Sequence, residues 1–132
     1  MPESRLLQVE YDEQGMRMME FSRFCLSHRF GPPTLTFHHY GEEKKIEVPD
    51  SLFDVARRII EEEHMYEYES SYRMEAPGGV RILDGEKWDF TAVFEGKKYI
   101  FSSGFCEWPD NPSGLKRIEK LLYNAAKEAS VR

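Results

Sequence analysis

Over residues 88–95 the chain alternates with a strict period of two: Trp88, Phe90, Ala92 and Phe94 are separated by Asp89, Thr91, Val93 and Glu95. Successive side chains of an extended backbone point to opposite faces, so this spacing suits a strand with one buried face and does not suit a helix. Glu95-Gly96 offers a two-residue hairpin turn with glycine where positive φ is needed. Pairing outward from that turn sets Phe94 opposite Lys97, Ala92 opposite Tyr99 and Phe90 opposite Phe101. One face then collects Trp88, Phe90, Phe94, Tyr99 and Phe101 as an aromatic core face. On this register Phe90 and Phe101 are both nearly fully buried, and truncating either costs about 3 to 5 kcal/mol.

Earlier in the chain, residues 5–11 place Leu7, Val9 and Tyr11 on one face, and Asp12-Glu13-Gln14-Gly15 reads as a turn. The second arm, 16–28, carries apolar side chains at both parities (Met18, Met19, Phe21, Phe24, Leu26), which requires a bulge or change of face. Gly31-Pro32-Pro33 interrupts the ladder, because proline cannot donate to it. A second hairpin follows, 34–40 with 44–48, turning at Gly41-Glu42-Glu43.

Two helices are expected. Pro49-Asp50-Ser51 opens the first, with Asp50 as N-cap and Ser51-x-x-Asp54 as a variant capping box ahead of the stripe Leu52, Val55, Ala56, Ile59, Ile60. Its stripe fades after Glu63, and the Tyr-rich stretch 65–74 is either further helix or an extended segment, ended by Ala76-Pro77-Gly78-Gly79. Asn111 as N-cap and Pro112 at the first helical position open the second, whose buried face is Leu115, Ile118, Leu121, Leu122, Ala125, Ala126 and Ala129.

The 132 residues suit a single domain spanning 1–132 that buries roughly 68% of its unfolded surface. The net charge of −6 argues against nucleic acid, whose phosphates call for concentrated positive charge. No run exceeds three consecutive hydrophobic residues, so neither a membrane span nor the apolar core of a secretory signal is present, and a soluble, unprocessed chain is expected. Aromatic residues make up 14% of the chain, more buriable area than a disordered chain carries. Cys25 and Cys106 are too few for a secreted disulfide scaffold and match no zinc spacing, which makes a reducing, cytoplasmic setting the simplest reading. A long-range bridge between them stays open; it requires Cα atoms within about 7 Å.

Catalytic and metal constellations fail on geometry. His38 and His39 are strand neighbours and face opposite ways, so they cannot share one ion without distortion. Cys25 and His28 stand three apart on a strand, on opposite faces, which separates a nucleophile from its base. Glu61-Glu62-Glu63-His64 fans around a helix end as a solvated face. Gly78-Gly79 and Ser102-Ser103-Gly104 are too short for a phosphate cradle. Trp108, between Glu107 and Pro109, has no strand or helix parity to bury it, and large loop aromatics are enriched at binding surfaces, although the ring also suits a cap over the core.

Ile82-Leu83-Asp84-Gly85-Glu86-Lys87-Trp88, Gly96-Lys97-Lys98, Ser103-Gly104 and Trp108-Pro109-Asp110-Asn111 before an amphipathic helix resemble a module recurring in uncharacterised bacterial proteins. The resemblance covers about the last 50 residues. It implies a bacterial source and an α+β fold; the module has no assigned activity and no catalytic residues to carry over.

The sequence therefore predicts an α+β domain with a mostly antiparallel sheet of about five to six strands and two helices packed on one face. The expected function is a non-enzymatic binding or accessory domain acting through an aromatic surface patch, with Trp108, Glu107 and Asp110 as binding residues and a protein as partner. No catalytic residue, cofactor or metal ligand, and no nucleic acid or membrane contact, is expected. The competing class is a small hydrolase or metal-dependent enzyme drawing histidines and carboxylates from separate elements.

Overall fold

The computed structural model describes residues 5–14, 20–73, 87–96, 98–105 and 107–130. In chain order the elements are β1 (Leu6–Gln14), β2 (Phe21–Ser27), β3 (Thr34–His39), β4 (Glu42–Glu47), α1 (Ser51–Glu62), a 3₁₀ turn (Met65–Glu67), β5 (Ser71–Arg73), β6 (Lys87–Phe94), β7 (Lys98–Phe105) and α2 (Ser113–Ser130). They form one seven-stranded sheet in the order β4-β3-β2-β1-β6-β7-β5, with α1 and α2 on one face. The α+β class is as expected. The sheet has more strands than expected and is mixed, because β5 runs parallel to β7.

The core lies between the sheet and the helices. Leu6, Val9 and Tyr11 of β1, Phe21, Phe24 and Leu26 of β2, Leu35 and Phe37 of β3, and Trp88, Phe90 and Ala92 of β6 are buried against Phe53, Ala56, Ile59 and Ile60 of α1 and Leu115, Ile118, Leu122 and Ala126 of α2. A register shift between Leu6 and Gln8 brings Leu6, rather than Leu7, to the inner face beside Val9 and Tyr11. The irregularity expected in the second arm falls between Ser22 and Cys25, where Arg23 adopts φ 53°. The β3–β4 turn is tighter than expected: His39 pairs with Glu42, and the two central residues, Tyr40 (φ 48°) and Gly41 (φ 85°), have the positive φ values of a type I′ turn.

The largest departure is the register of the last hairpin. Phe94 pairs with Lys98, so residues 95–97 make a connection one residue longer than expected, with Gly96 at φ 86°. A shift of one residue sends every side chain of the strand to the other face. Phe90 therefore faces Ser102, and Thr91 faces Phe101. Ile100, Ser102 and Gly104 point to the core, while Tyr99 is 71% and Phe101 48% exposed. Phe90→Ala should cost about 3 to 5 kcal/mol in a urea melt, and Phe101→Ala less than about 1 kcal/mol. Equal losses would restore the two-residue turn.

The inward register has a steric reason. The Trp88 indole crosses the backbone at Gly104, and its Nε1–H donates to the Glu107 carbonyl at 2.8 Å. Any side chain at position 104 would overlap both the indole and that carbonyl.

Helix α1 starts after Asp50, which sits at the N-cap but makes no side-chain capping bond, so the capping box is not formed. Asn111 does cap α2: its Oδ1 accepts the Ser113 N–H at 3.3 Å, and the Lys116 N–H reaches the Pro112 carbonyl at 3.1 Å. The Tyr-rich stretch resolves into the 3₁₀ turn and β5. Met65 is buried under Gly114 of α2, and the Glu63 carboxylate accepts from Ser113 Oγ at 2.8 Å and Arg117 Nη1 at 3.1 Å, tying the end of α1 to the start of α2. Ser113 and Arg117 hold the Glu63 carboxyl below its ordinary range. The Ala76-Pro77-Gly78-Gly79 break, Asp84 and Gly85 of the resemblance, Met18, Met19 and Cys106 lie outside the described residues.

Candidate functional site

The sheet face away from the helices carries no element among the described residues, and the pairing register maps it into rows. One row runs Lys45, Thr36, Cys25, Glu10, Thr91, Phe101 from β4 to β7. A second runs Glu47, Thr34, Ser27, Gln8, Val93, Tyr99, and a third joins Asp12, Asp89 and Ser103 across β1, β6 and β7. The face is thus hydroxyl-rich toward β3, acidic at its centre and aromatic at β7. Neighbouring strands lie about 4.8 Å apart, which puts the Glu10 carboxylate roughly 10 Å from the Phe101 strand. Burial and the facing Asp12 carboxylate push Asp89 above its ordinary range, an effect that Lys87 partly offsets.

The aromatic end coincides with an open sheet edge. β5 covers β7 only at Ser103, Gly104 and Phe105. Ser103 N–H donates to the Ser70 carbonyl at 3.1 Å, so the backbone groups of Ser103, and by alternation those of Phe101 and Tyr99, point toward the β5 side. Among the described residues no strand lies against 98–102 on that side. Two exposed rings and two outward-pointing peptide groups therefore occupy the same short stretch.

At the opposite end a cavity of about 600 Å³ lies on the open face, lined among others by Gln8, Cys25, Ser27, Thr34, Thr36 and Lys45. The loop residue Phe30, 89% exposed with the Arg29 guanidinium over its ring, forms one wall. Ser27 Oγ donates to Gln8 Oε1 at 3.0 Å, and Thr34 Oγ1 to the Ser27 carbonyl at 3.4 Å, so these lining groups satisfy one another. Burial and the Glu10 carboxylate push the free Cys25 thiol up to about 11, which keeps it protonated and poorly nucleophilic at neutral pH.

His28 lies beyond the end of β2, with its ring against Phe53 of α1 at 4.5 Å. Its Nδ1 stands 3.4 Å from Arg5 Nη2 and 3.9 Å from Asp50 Oδ1. Its Nε2 is buried with no hydrogen-bond partner among the described residues. A smaller cavity of about 160 Å³ adjoins this ring, with Arg5, Asp50, Asp54 and Arg57 around it.

His38 and His39 take opposite faces, as strand alternation requires, and both are half-buried. His39 stacks on Phe21 at 4.8 Å and lies 3.6 Å from Glu20. Among the described residues no group of three or more His, Cys, Asp or Glu side chains is placed to hold a metal ion. Glu61 to His64 spread around the end of α1, where Glu61 pairs with Arg57 and Glu62 with Arg117.

Sequence reasoning placed the binding residues in the loop after β7. There Trp108 is half-buried and packed against the core, Glu107 and Asp110 are exposed, and the Glu107 carbonyl is engaged by Trp88. In a Trp108→Phe variant the remaining emission, from Trp88, should be blue-shifted and shielded from acrylamide; ready quenching would contradict the buried indole. The outward exposure of Tyr99 and Phe101 was not expected; the signal that could have shown it is the small inner set Ser102 and Gly104, which leaves room for Trp88 only on the other register.

No protein-family model matches the chain, nor does any curated protein or any solved structure. No helix among the described residues is long and apolar enough to cross a membrane.

Proposed function

We propose that the chain is a non-enzymatic binding domain whose partner is another protein, and that its contact surface is the aromatic end of the open sheet face. The observation that carries this reading is the outward pair Tyr99 and Phe101, exposed on adjacent same-face positions of β7. Large rings on a solvated sheet face contribute nothing to the core and cost hydration, whereas at an interface tyrosine and other aromatics are the residues that anchor binding. The catalytic alternative receives less support from the described residues, since Cys25 is held as a thiol and the His28 ring is packed against Phe53 with its Nε2 out of solvent. Trp108, Glu107 and Asp110 sit at a separate place, where the ring serves the core in part.

A displayed library of random peptides, selected on the folded protein, tests this. Enrichment should be lost in a Tyr99→Ser/Phe101→Ser variant and kept in Trp108→Phe and in Glu107→Ala/Asp110→Ala. The reverse pattern would move the site to the loop, and enrichment on neither would remove the binding reading.

A further inference from the structure

We infer that the aromatic end of the sheet takes its partner by strand addition: an extended, basic peptide segment pairs with the edge of β7 that no described strand covers, alongside Tyr99 and Phe101. This rests on the binding reading above and specifies how that site would be filled. An edge strand presents a row of N–H and C=O groups that water satisfies less rigidly than a second strand does, and an added strand gains affinity from the main chain and specificity from alternate side chains. Here the row consists of the Tyr99 and Phe101 peptide groups, on the side where the Ser103 N–H already meets Ser70. The pairing with β6 uses the intervening residues Lys98, Ile100 and Ser102, so an added strand displaces none of the existing ladder.

The length of the vacancy limits the occupant. Residues 98–102 span roughly 17 Å at about 3.3 Å per residue, enough for four or five residues of an incoming chain. At one end stands the Glu69–Ser70 segment, whose carbonyls accept from Ser102 Oγ at 2.6 Å and from Ser103, and this stops the added strand from sliding further. An antiparallel ladder is the more stable kind per residue, and in that direction the peptide's N-terminal end meets Glu69.

Charge selects a cationic peptide over a second copy of this chain. Glu69 and Glu95 flank this stretch and are exposed, and Glu10, Asp12 and Asp89 lie on the same sheet face as the two rings, one to two strands away. Opposite them stand Lys87, with its ammonium 5.9 Å from the Phe105 ring centre, and Lys98. A second copy would bring the same carboxylates and another net −6 to the junction. A segment with apolar residues at the alternate positions on the ring face and Lys or Arg at its two ends instead sets its apolar side chains on the two rings and its cations beside Glu69 and Glu95.

The probe is a peptide enriched in the library selection, synthesised in three forms: unmodified, N-methylated at the alternate amides that face β7, and N-methylated at the intervening amides. Methylation removes a backbone donor without changing side chains. Affinity should fall about tenfold for each methylated inward amide and stay within about twofold for the outward set. In the complex, amide hydrogen exchange at Tyr99 and Phe101 should slow by at least about tenfold, and raising the salt concentration should weaken binding. Equal tolerance of both methylated forms, with binding still abolished by Tyr99→Ser/Phe101→Ser, would overturn strand addition and leave the aromatic binding site standing. If no peptide is enriched, both readings fall. Dimerisation of the free protein that Phe101→Lys abolishes would give the edge to a second copy and overturn the peptide assignment.

Discussion

Gly104→Ala should destabilise the protein by about 3 kcal/mol or more, a larger effect than glycine-to-alanine exchange usually has. The added methyl would land on the Trp88 indole and on the Glu107 carbonyl. Overpacking alone costs about 1 to 3 kcal/mol. Moving the indole away also breaks its bond to Glu107 and leaves a buried donor unpaired, a further penalty of about 1 to 3 kcal/mol. Neither neighbour yields cheaply, because one is a rigid ring 1% exposed and the other is main chain. Against a total stability of about 5 to 15 kcal/mol this is a substantial share. Urea melts of Gly104→Ala, Trp88→Phe and the double variant measure it. Phenylalanine vacates part of the contested space, so the double variant should lose less than the two single losses added together. Strict additivity, or a Gly104→Ala loss below about 1 kcal/mol, would show that the indole does not pass over this glycine.

Glu119→Gln should raise stability at pH 8 by on the order of 1 to 2 kcal/mol and leave it nearly unchanged at pH 4. Glu119 of α2 is half-buried beside Glu13 and Tyr11 at the end of β1. Burial, followed by the hydrogen bond to Glu13 and that group's charge, raises its carboxyl from the ordinary 4.5 to about 7. Tyr11 donates its hydroxyl to Glu13 at 3.2 Å, and burial holds that phenol in its protonated form. The native state therefore keeps a proton on the Glu13–Glu119 pair that the unfolded chain has released, and stability falls as pH rises from about 4.5 to about 7. An amide at 119 retains a donor to Glu13 and never ionises, so this fall should be absent from the variant. The comparison isolates the pair, since Glu63, whose carboxyl is shifted the opposite way, contributes equally to both proteins. Parallel pH profiles of stability for wild type and Glu119→Gln would show that the two carboxylates do not share a proton.

Much of the fold was legible because its signals are local. The α2 stripe of Leu115, Ile118, Leu122 and Ala126 and the Asn111 cap depend only on spacing within one helix, and the structure buries and bonds those residues as expected. The strands of the β1–β2 and β6–β7 hairpins were legible for the same reason, but their registers were not. Register depends on one residue in a turn or bulge, and its effect is felt a whole strand away. The extra residue between Phe94 and Lys98 moved Phe101 from an expected core position to the surface, and the shift after Leu6 turned Leu7 away from the core. β5 escaped because three residues carry no periodic signal, and its parallel pairing with β7 comes from tertiary placement of a Tyr-rich stretch.

The surroundings of the expected site residues were illegible for a related reason. A loop tryptophan looks accessible when only its neighbours in sequence are known, yet Trp108 leans on a core built from distant elements. The exposed rings sit within a strand, where alternation invites burial, and only the observed pairing shows which parity faces water. The hydroxyl-lined cavity near Phe30 was equally invisible, since it joins residues from β1 to β4.

The two rims of the sheet are not equivalent. β4 reads Glu-Glu-Lys-Lys-Ile-Glu, and all but Ile46 of these residues are exposed, so an approaching strand meets dense charge along its whole length. The far rim is sealed by β5 for three residues and, among the described residues, uncovered for the rest of β7. Copies of the chain are therefore hindered from stacking rim on rim, β4 of one against β7 of the next, because the charged side chains of β4 meet each approach. Two outward aromatics at the β7 rim thus do not invite head-to-tail association, since the rim that would have to receive them is lined with charge.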